Sequence, residues 1–283
     1  MLNLLLASRK RPYCPGLSKP ERICMDISGT VFEFYAPRHN DSGTPEDQPV
    51  ISQFDLTDDR FFCDEEGTGF RNAALLSRHL DFFGAPFGLS SSVGTIHLLV
   101  TVDRVDCLPG GMTCLNEKHF EQAVMRLIYQ MGPGTYFGET GPYNWCIQRV
   151  GGRPWVIYEM RTHLSEGEEP RSSYYYTQYT SCAIAQLDDK HLLRVTFNNL
   201  GSIPEKVSRK VRDDICHSFR IKYAPVVARK IEKQAQQYPE DTLSEYVGPA
   251  GWAKPVWRYG EASKGEPSIV YLKPSDPPPE FNF

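Results

Sequence analysis

The plainest alternation in the chain lies at His191–Asn198, where Leu193, Val195 and Phe197 fall on one side and Arg194 and Thr196 on the other. A period of two is the mark of a strand with one buried face. The same pattern surrounds it. Tyr143–Val150 alternates, Gly151-Gly152 suits a two-residue hairpin turn, and Trp155–Thr162 places Val156, Tyr158 and Met160 on one face. The opposite face of that segment carries Trp155, Ile157, Glu159 and Arg161, beginning apolar and turning polar. A charged loop at His163–Ser173 leads to Tyr174–Leu187, whose aromatic and β-branched content predicts a long strand. Asp188-Asp189 turns the chain into the clearest strand. Beyond it, Ser202-Ile203-Pro204-Glu205 reads as a capping box, and Val207, Val211, Ile215 and Phe219 form a helical stripe.

Upstream, Asp26–Tyr35 is expected to be one strand, with Ile27, Gly29, Val31, Glu33 and Tyr35 on one face. Val50–Leu56 is its expected partner across a polar loop at Pro37–Pro49. Phe70, Ala73, Ala74, Ser77 and Leu80 fall at helical spacing and predict a short amphipathic helix over Phe70–Leu80. Thr95–Val105 is continuous enough for a central strand. Asn116 is a candidate cap for a helix over Glu117–Met131, in which Phe120, Ala123, Val124, Leu127, Ile128 and Met131 share a face. Pro225–Gln237 predicts a basic helix; Val256–Tyr259 and Ser268–Leu272 predict two short strands before a proline-rich end at Pro274–Pro279.

The expected fold is therefore α+β, a mainly antiparallel sheet with helices packed on one face. A loose strand-loop-helix echo between Asp26–Leu80 and Leu192–Phe219 reads either as two related halves or as no relation. The pattern divides the chain into an N-terminal arm (1–22), a core (23–225, with a sub-boundary near 132–142) and a C-terminal helix with a proline- and aromatic-rich tail (226–283).

Composition narrows the function classes. Hydrophobic residues at 40% and charged residues at 23% are ordinary for a globular chain. A formal net charge of −4 argues against a nucleic-acid partner, which needs a basic footprint. Met1–Ser8 is apolar but is followed by Arg9-Lys10-Arg11 rather than a small-residue cleavage site, and no stretch reaches the roughly 20 apolar residues of a membrane span. The expectation is a cytoplasmic protein, without a membrane partner, as a monomer or homodimer. Eight cysteines include no C-x-x-C pair, which suggests buried free thiols; Cys107 and Cys114 flank Pro109-Gly110-Gly111 and form the one candidate disulfide, were the protein exported.

Candidate chemistry is sparse. Cys182 with His191 or His97 is a conceivable thiol–imidazole pair across strands, and it lacks a local signature. Neither a G-x-S-x-G elbow nor a phosphate-binding P-loop occurs. The histidines are scattered, and His79 with Asp81 lacks a third ligand, so no catalytic residue, metal site or cofactor is assigned. The run from Asp55 to Glu66 is different. It carries Asp55, Asp58, Asp59, Asp64, Glu65 and Glu66 against Arg60 alone, and reads as a solvated loop or as a surface that meets a basic partner. In Tyr174-Tyr175-Tyr176, alternation turns either Tyr174 and Tyr176 or Tyr175 outward, and exposed tyrosines are favoured interface anchors. Tyr174 and Tyr176 join the six carboxylates as expected partner-binding residues.

The segment Asp188–Arg220 carries a short turn, a strand ending in Phe197-Asn198, a proline-started helix and the exit Cys216-His217-Ser218-Phe219-Arg220. It resembles the closing segment of Mog1/PsbP-like α+β domains, and Asp26–Tyr35 running into Ala36-Pro37 resembles their opening strand. Bacterial immunity proteins that neutralise type VI secretion effectors often have domains of this kind. The resemblance covers about a quarter of the chain. It implies a non-enzymatic inhibitor of a cognate protein toxin, blocking the toxin's active site or substrate path. The alternatives are a hydrolase with a cleft between two halves and a non-catalytic adaptor.

Overall fold

A computed structural model describes residues 7–41, 49–64, 69–84, 92–130, 139–162, 177–248, 255–259 and 267–271. The strands are β1 (Glu21–Ile27), β2 (Thr30–Ala36), β3 (Gln53–Phe54), β4 (Cys63–Asp64), β5 (Phe70–Phe83), β6 (Ser92–Val105), β7 (Glu139–Val150), β8 (Arg153–Thr162), β9 (Thr177–Gln186), β10 (His191–Gly201), β11 (Arg220–Lys222), β12 (Pro255–Tyr259) and β13 (Pro267–Tyr271). The α-helices are α1 (Glu117–Gln130), α2 (Glu205–His217) and α3 (Pro225–Gln237).

Seven strands form one sheet in the order β4-β5-β6-β10-β9-β8-β7, with every pairing antiparallel. A second sheet has the order β11-β2-β1-β3, in which β1 and β3 run parallel. β12 and β13 form a separate two-stranded antiparallel pair. The fold class is α+β with a mainly antiparallel sheet, as the alternation predicts.

Strand periodicity sends neighbouring side chains of the large sheet into two separate cores. Trp155 and Ile157 of β8, Ala183 and Ala185 of β9, and Leu193, Val195 and Phe197 of β10 join the small sheet and α2 in the first. At its centre, Phe32 lies 5.5 Å from Trp155 and Phe219 lies 4.6 Å from Trp155, ring centroid to centroid. Val156, Tyr158, Met160, Cys182 and Ile184 point the other way and pack with Phe120, Val124 and Ile128 of α1. Thus α1 and α2 belong to opposite faces of the large sheet. This corrects the expectation of helices on one face; a sheet whose two faces are both apolar needs cover on both.

Three other expectations change. Phe70–Leu80 is not a helix but the first eleven of the fourteen residues of β5, hydrogen-bonded along β6. A register shift between Ala74 and Leu76 moves the inward phase by one residue, so Ala73, Leu76 and Leu80 fall at intervals of three and four while remaining in a strand. The strand-loop-helix echo loses its helix with this. Asp26–Tyr35 is not one strand: the chain reverses at Ser28 (φ 50°) and Gly29 (φ 85°), pairing Ile27 with Thr30. Two consecutive positive φ values suit a hairpin turn, and a glycine takes the second at no steric cost. The buried parity accordingly switches from Ile23, Met25 and Ile27 to Phe32, Phe34 and Ala36. Finally, α2 starts at Glu205 with Pro204 as N-cap and without a side-chain cap, so Ser202 does not cap it; its backbone N–H donates instead to Val93 O at 2.8 Å.

Asn116 does cap α1. Its Oδ1 accepts from the N–H groups of Lys118 (2.9 Å) and His119 (3.1 Å), and its Nδ2 donates to Asp241 at 2.7 Å. The Gly151-Gly152 turn (φ 58° and 78°) and α3 at Pro225–Gln237 also stand as the sequence predicts.

Candidate functional site

The acidic run is a shaped turn rather than a free loop. β3 anchors it beside β1, and Leu56 N–H donates to Ser28 Oγ at 2.9 Å, tying its start to the β1–β2 hairpin. Asp55 Oδ1 accepts from the N–H (2.9 Å) and hydroxyl (2.8 Å) of Thr57. Those bonds, the backbone one first, hold the Asp55 carboxyl below its ordinary range. Asp58 then caps a 3₁₀ turn at Asp59–Phe61 and forms a two-pronged pair with Arg60, at 2.8 and 2.6 Å. Hydrogen bonding to Arg60 lowers the Asp58 carboxyl as well.

Charge on this surface is more balanced than the sequence suggests. Asp59 pairs with Arg104 of β6 and lies 4.0 Å from Arg71 of β5. The two arginines share Asp106, through Arg71 Nε at 2.6 Å and Arg104 Nε at 2.8 Å. Partial burial opposes ionisation of Asp106, and the Arg71 and Arg104 contacts override it to lower the carboxyl. Arg71 follows the run closely, whereas Arg104 stands 45 residues from Asp59 and the pairing of β4, β5 and β6 brings it in.

Phe61 is the residue that sequence reading missed. Phe54 and Phe62 are buried at 5% and 8% exposure, whereas Phe61 is 53% exposed. Its ring sits 5.9 Å from Phe54, and Phe62 contacts Phe54 at 5.7 Å, so one ring projects from a hydrophobic footing made by the other two. The signal available was the Phe61-Phe62 dipeptide, since neighbouring side chains seldom share one buried side. The result is a half-exposed aromatic ring bordered by Asp55, Asp58, Asp59 and Arg60. Asp64 lies on β4 next to this turn. Glu65, Glu66, Tyr174 and Tyr176 lie outside the described residues.

The thiol–imidazole pairing does not form. His191 Nδ1 engages Asp188 at 2.8 and 2.9 Å, His97 Nε2 lies 2.7 Å from Ser77 Oγ, and Cys182 Sγ faces Thr196 Oγ1 at 3.9 Å. Burial raises the Cys114 and Cys216 thiols and pushes Cys14 up to about 12, the opposite of an activated nucleophile. Cys107 and Cys114 are both free.

Ser77, His97 and Asn198 form a row across β5, β6 and β10 that has the look of a hydrolytic relay. Its third member is a neutral amide: Asn198 Nδ2 faces His97 Nδ1 at 3.4 Å, and Thr180 Oγ1 contacts Asn198 Oδ1 at 3.0 Å, so the row lacks the carboxylate that would stabilise an imidazolium.

The strongest electrostatic feature is structural. Glu159, fully buried on β8, accepts from Arg209 Nε and Nη2 (both 2.9 Å) and Arg212 Nη1 (2.8 Å) of α2, and from Asn144 Nδ2 (2.7 Å) of β7. Arg161 adds a contact at 3.3 Å. Burial opposes ionisation, but hydrogen bonds from Arg209 and Asn144 override it and lower the carboxyl. The carboxylate thus fastens α2 to the sheet.

Among the described residues, no helix is long and apolar enough to cross a membrane, and no group of three or more His, Cys, Asp or Glu is arranged to hold a metal ion. Comparison with protein-family models, curated proteins and solved structures gives no match.

Proposed function

We propose that this protein binds another protein and neutralises it, and that the partner is a secreted antibacterial toxin, as the resemblance to Mog1/PsbP-like immunity domains implies. The proposed contact surface is centred on Phe61, with Asp55, Asp58 and Asp59 in the same turn; Asp64, Glu65, Glu66, Tyr174 and Tyr176 are kept as proposed partner contacts on the sequence reading alone. The observation that carries this reading is a half-exposed phenylalanine held on a capped, ion-paired turn. Aromatic residues projecting from rigid supports are typical interface anchors, because little conformational freedom is lost when they are covered. Carboxylates around such an anchor favour a basic partner surface and speed encounter more than they raise affinity. In this proposal the protein acts in the cytoplasm, as a monomer or homodimer, by covering the toxin's active site or substrate path.

The test is affinity capture with the wild-type chain and with Phe61→Ala. The expected result is one partner retained by the wild type, toxic when expressed alone and harmless when expressed with this protein. Covering the exposed half of a phenylalanine side chain of about 200 Å² at roughly 25 cal/mol per Å² is worth about 2.5 kcal/mol. Phe61→Ala should therefore weaken binding by at least tenfold, which corresponds to about 1.4 kcal/mol. A partner no tighter than micromolar, or one held equally well by the variant, would count against the proposal.

A further inference from the structure

A groove of about 540 Å³ opens where the N-terminal segment passes α2 and the end of β2. Its volume falls within the range of ligand sites. Leu17, Pro37, Val207, Val211 and Ile215 give it an apolar floor. Cations stand on both walls: Lys10 and Arg11 on the N-terminal segment, Lys206 and Lys210 on α2. Lys210 forms an exposed pair with Asp214 at 2.7 Å, a contact of little energetic weight. Lys10, Arg11 and Lys206 form no ion pair with any described residue, although arginines elsewhere in the fold are neutralised closely, as around Glu159 and Asp106. The lining therefore carries four cations against the single carboxylate of Asp214.

We infer that this groove is a second docking site, for an acidic, apolar-rich segment of a partner protein. Charge complementarity is what selects the occupant. Lys206 and Lys210 are one helical turn apart, about 6 Å, and face Lys10 and Arg11 across the apolar floor. Cations distributed along two walls match carboxylates spaced along a peptide; an amphiphile with one anionic head group would leave most of them unanswered. None of the groove's lining residues belongs to the Phe61 surface, so the two sites are testable separately.

The experiment is selection from a random 12-residue peptide phage library on the full-length chain, followed by fluorescence anisotropy with the enriched peptides. Enriched sequences should combine Asp or Glu with aliphatic or aromatic residues. Their affinity should fall at least tenfold in Lys10→Glu/Lys206→Glu, whose substituted side chains are both exposed, and at least tenfold in Val207→Asp, while Phe61→Ala leaves it unchanged. The charge-reversal pair keeps the test decisive if Val207→Asp fails to fold. Failure to enrich peptides, enrichment of peptides without acidic residues, or affinity that ignores the charge reversal would overturn the inference. So would competition for the groove by palmitate or by phosphatidylglycerol vesicles at lower concentration than the peptides, which would make it a lipid site.

Discussion

Replacing Glu159 with glutamine should loosen the attachment of α2 to the large sheet. The carboxylate is fully buried and receives three arginine hydrogen bonds at 2.8–2.9 Å and one from Asn144 at 2.7 Å. Glutamine keeps the shape but turns an amide NH₂ toward guanidinium donors and removes the buried charge among them, leaving Arg161 and Arg209 to the half-exposed Glu205 and Arg212 to Asp213. Breaking a fully buried ion pair costs about 3–5 kcal/mol. Here the Arg209 and Arg161 side chains are each 33% exposed and Arg212 is 13% exposed, so water recovers part of the loss. About 2–4 kcal/mol remains after that discount for screening. At roughly 2–3 °C per kcal/mol in a chain of this size, the midpoint should drop by about 4–12 °C. Differential scanning fluorimetry at pH 7 reads this directly.

The sign of the pH dependence is also set. The folded carboxyl lies below its ordinary range, so its stabilisation is fully present above the unfolded value of about 4.3 and fades as pH falls through the lower folded value. The gap between wild type and Glu159→Gln should thus be widest near pH 7 and narrow below about pH 4. Equal midpoints at pH 7, or a gap unchanged down to pH 3, would refute the reasoning.

Asn116→Ala removes the α1 cap and leaves Asp241 without its amide donor; urea unfolding should show a loss of about 1–2 kcal/mol. Gly201→Ala should cost more than a surface substitution, because φ is +78° and an added Cβ would sit 2.8 Å from Gly94 Cα; a fall in the unfolding midpoint checks this, and an unchanged midpoint contradicts it. Ellman's reagent should modify the exposed Cys24, Cys63 and Cys146 in the native protein and reach the buried Cys14, Cys114, Cys182 and Cys216 only after unfolding.

Where period two runs unbroken, the architecture is legible in the sequence. β8 and β10 follow the pattern closely because each keeps one phase over its core residues; α3 is legible for a different reason, the proline that opens its first turn. β5 is hidden by its bulge, which converts strand spacing into apparent helical spacing. The β1–β2 hairpin is hidden because a two-residue turn interrupts alternation so briefly that one strand seems to continue. The acidic turn was found as a run of charge, but its character was not. Arg104, which pairs with Asp59, comes from 45 residues along the chain, and the exposure of Phe61 depends on which of two adjacent rings the core accepts. In the sequence Glu159 reads as the start of a polar edge; the arginines that pair with it stand 50 and 53 residues away on α2.

Native mass spectrometry of this protein mixed with the partner it captures tests recognition without chemical change most directly. The account predicts a complex whose mass is the sum of two unmodified chains, formed by the wild type and lost with Phe61→Ala. A partner returned with an altered mass, or a complex indifferent to that substitution, would contradict it.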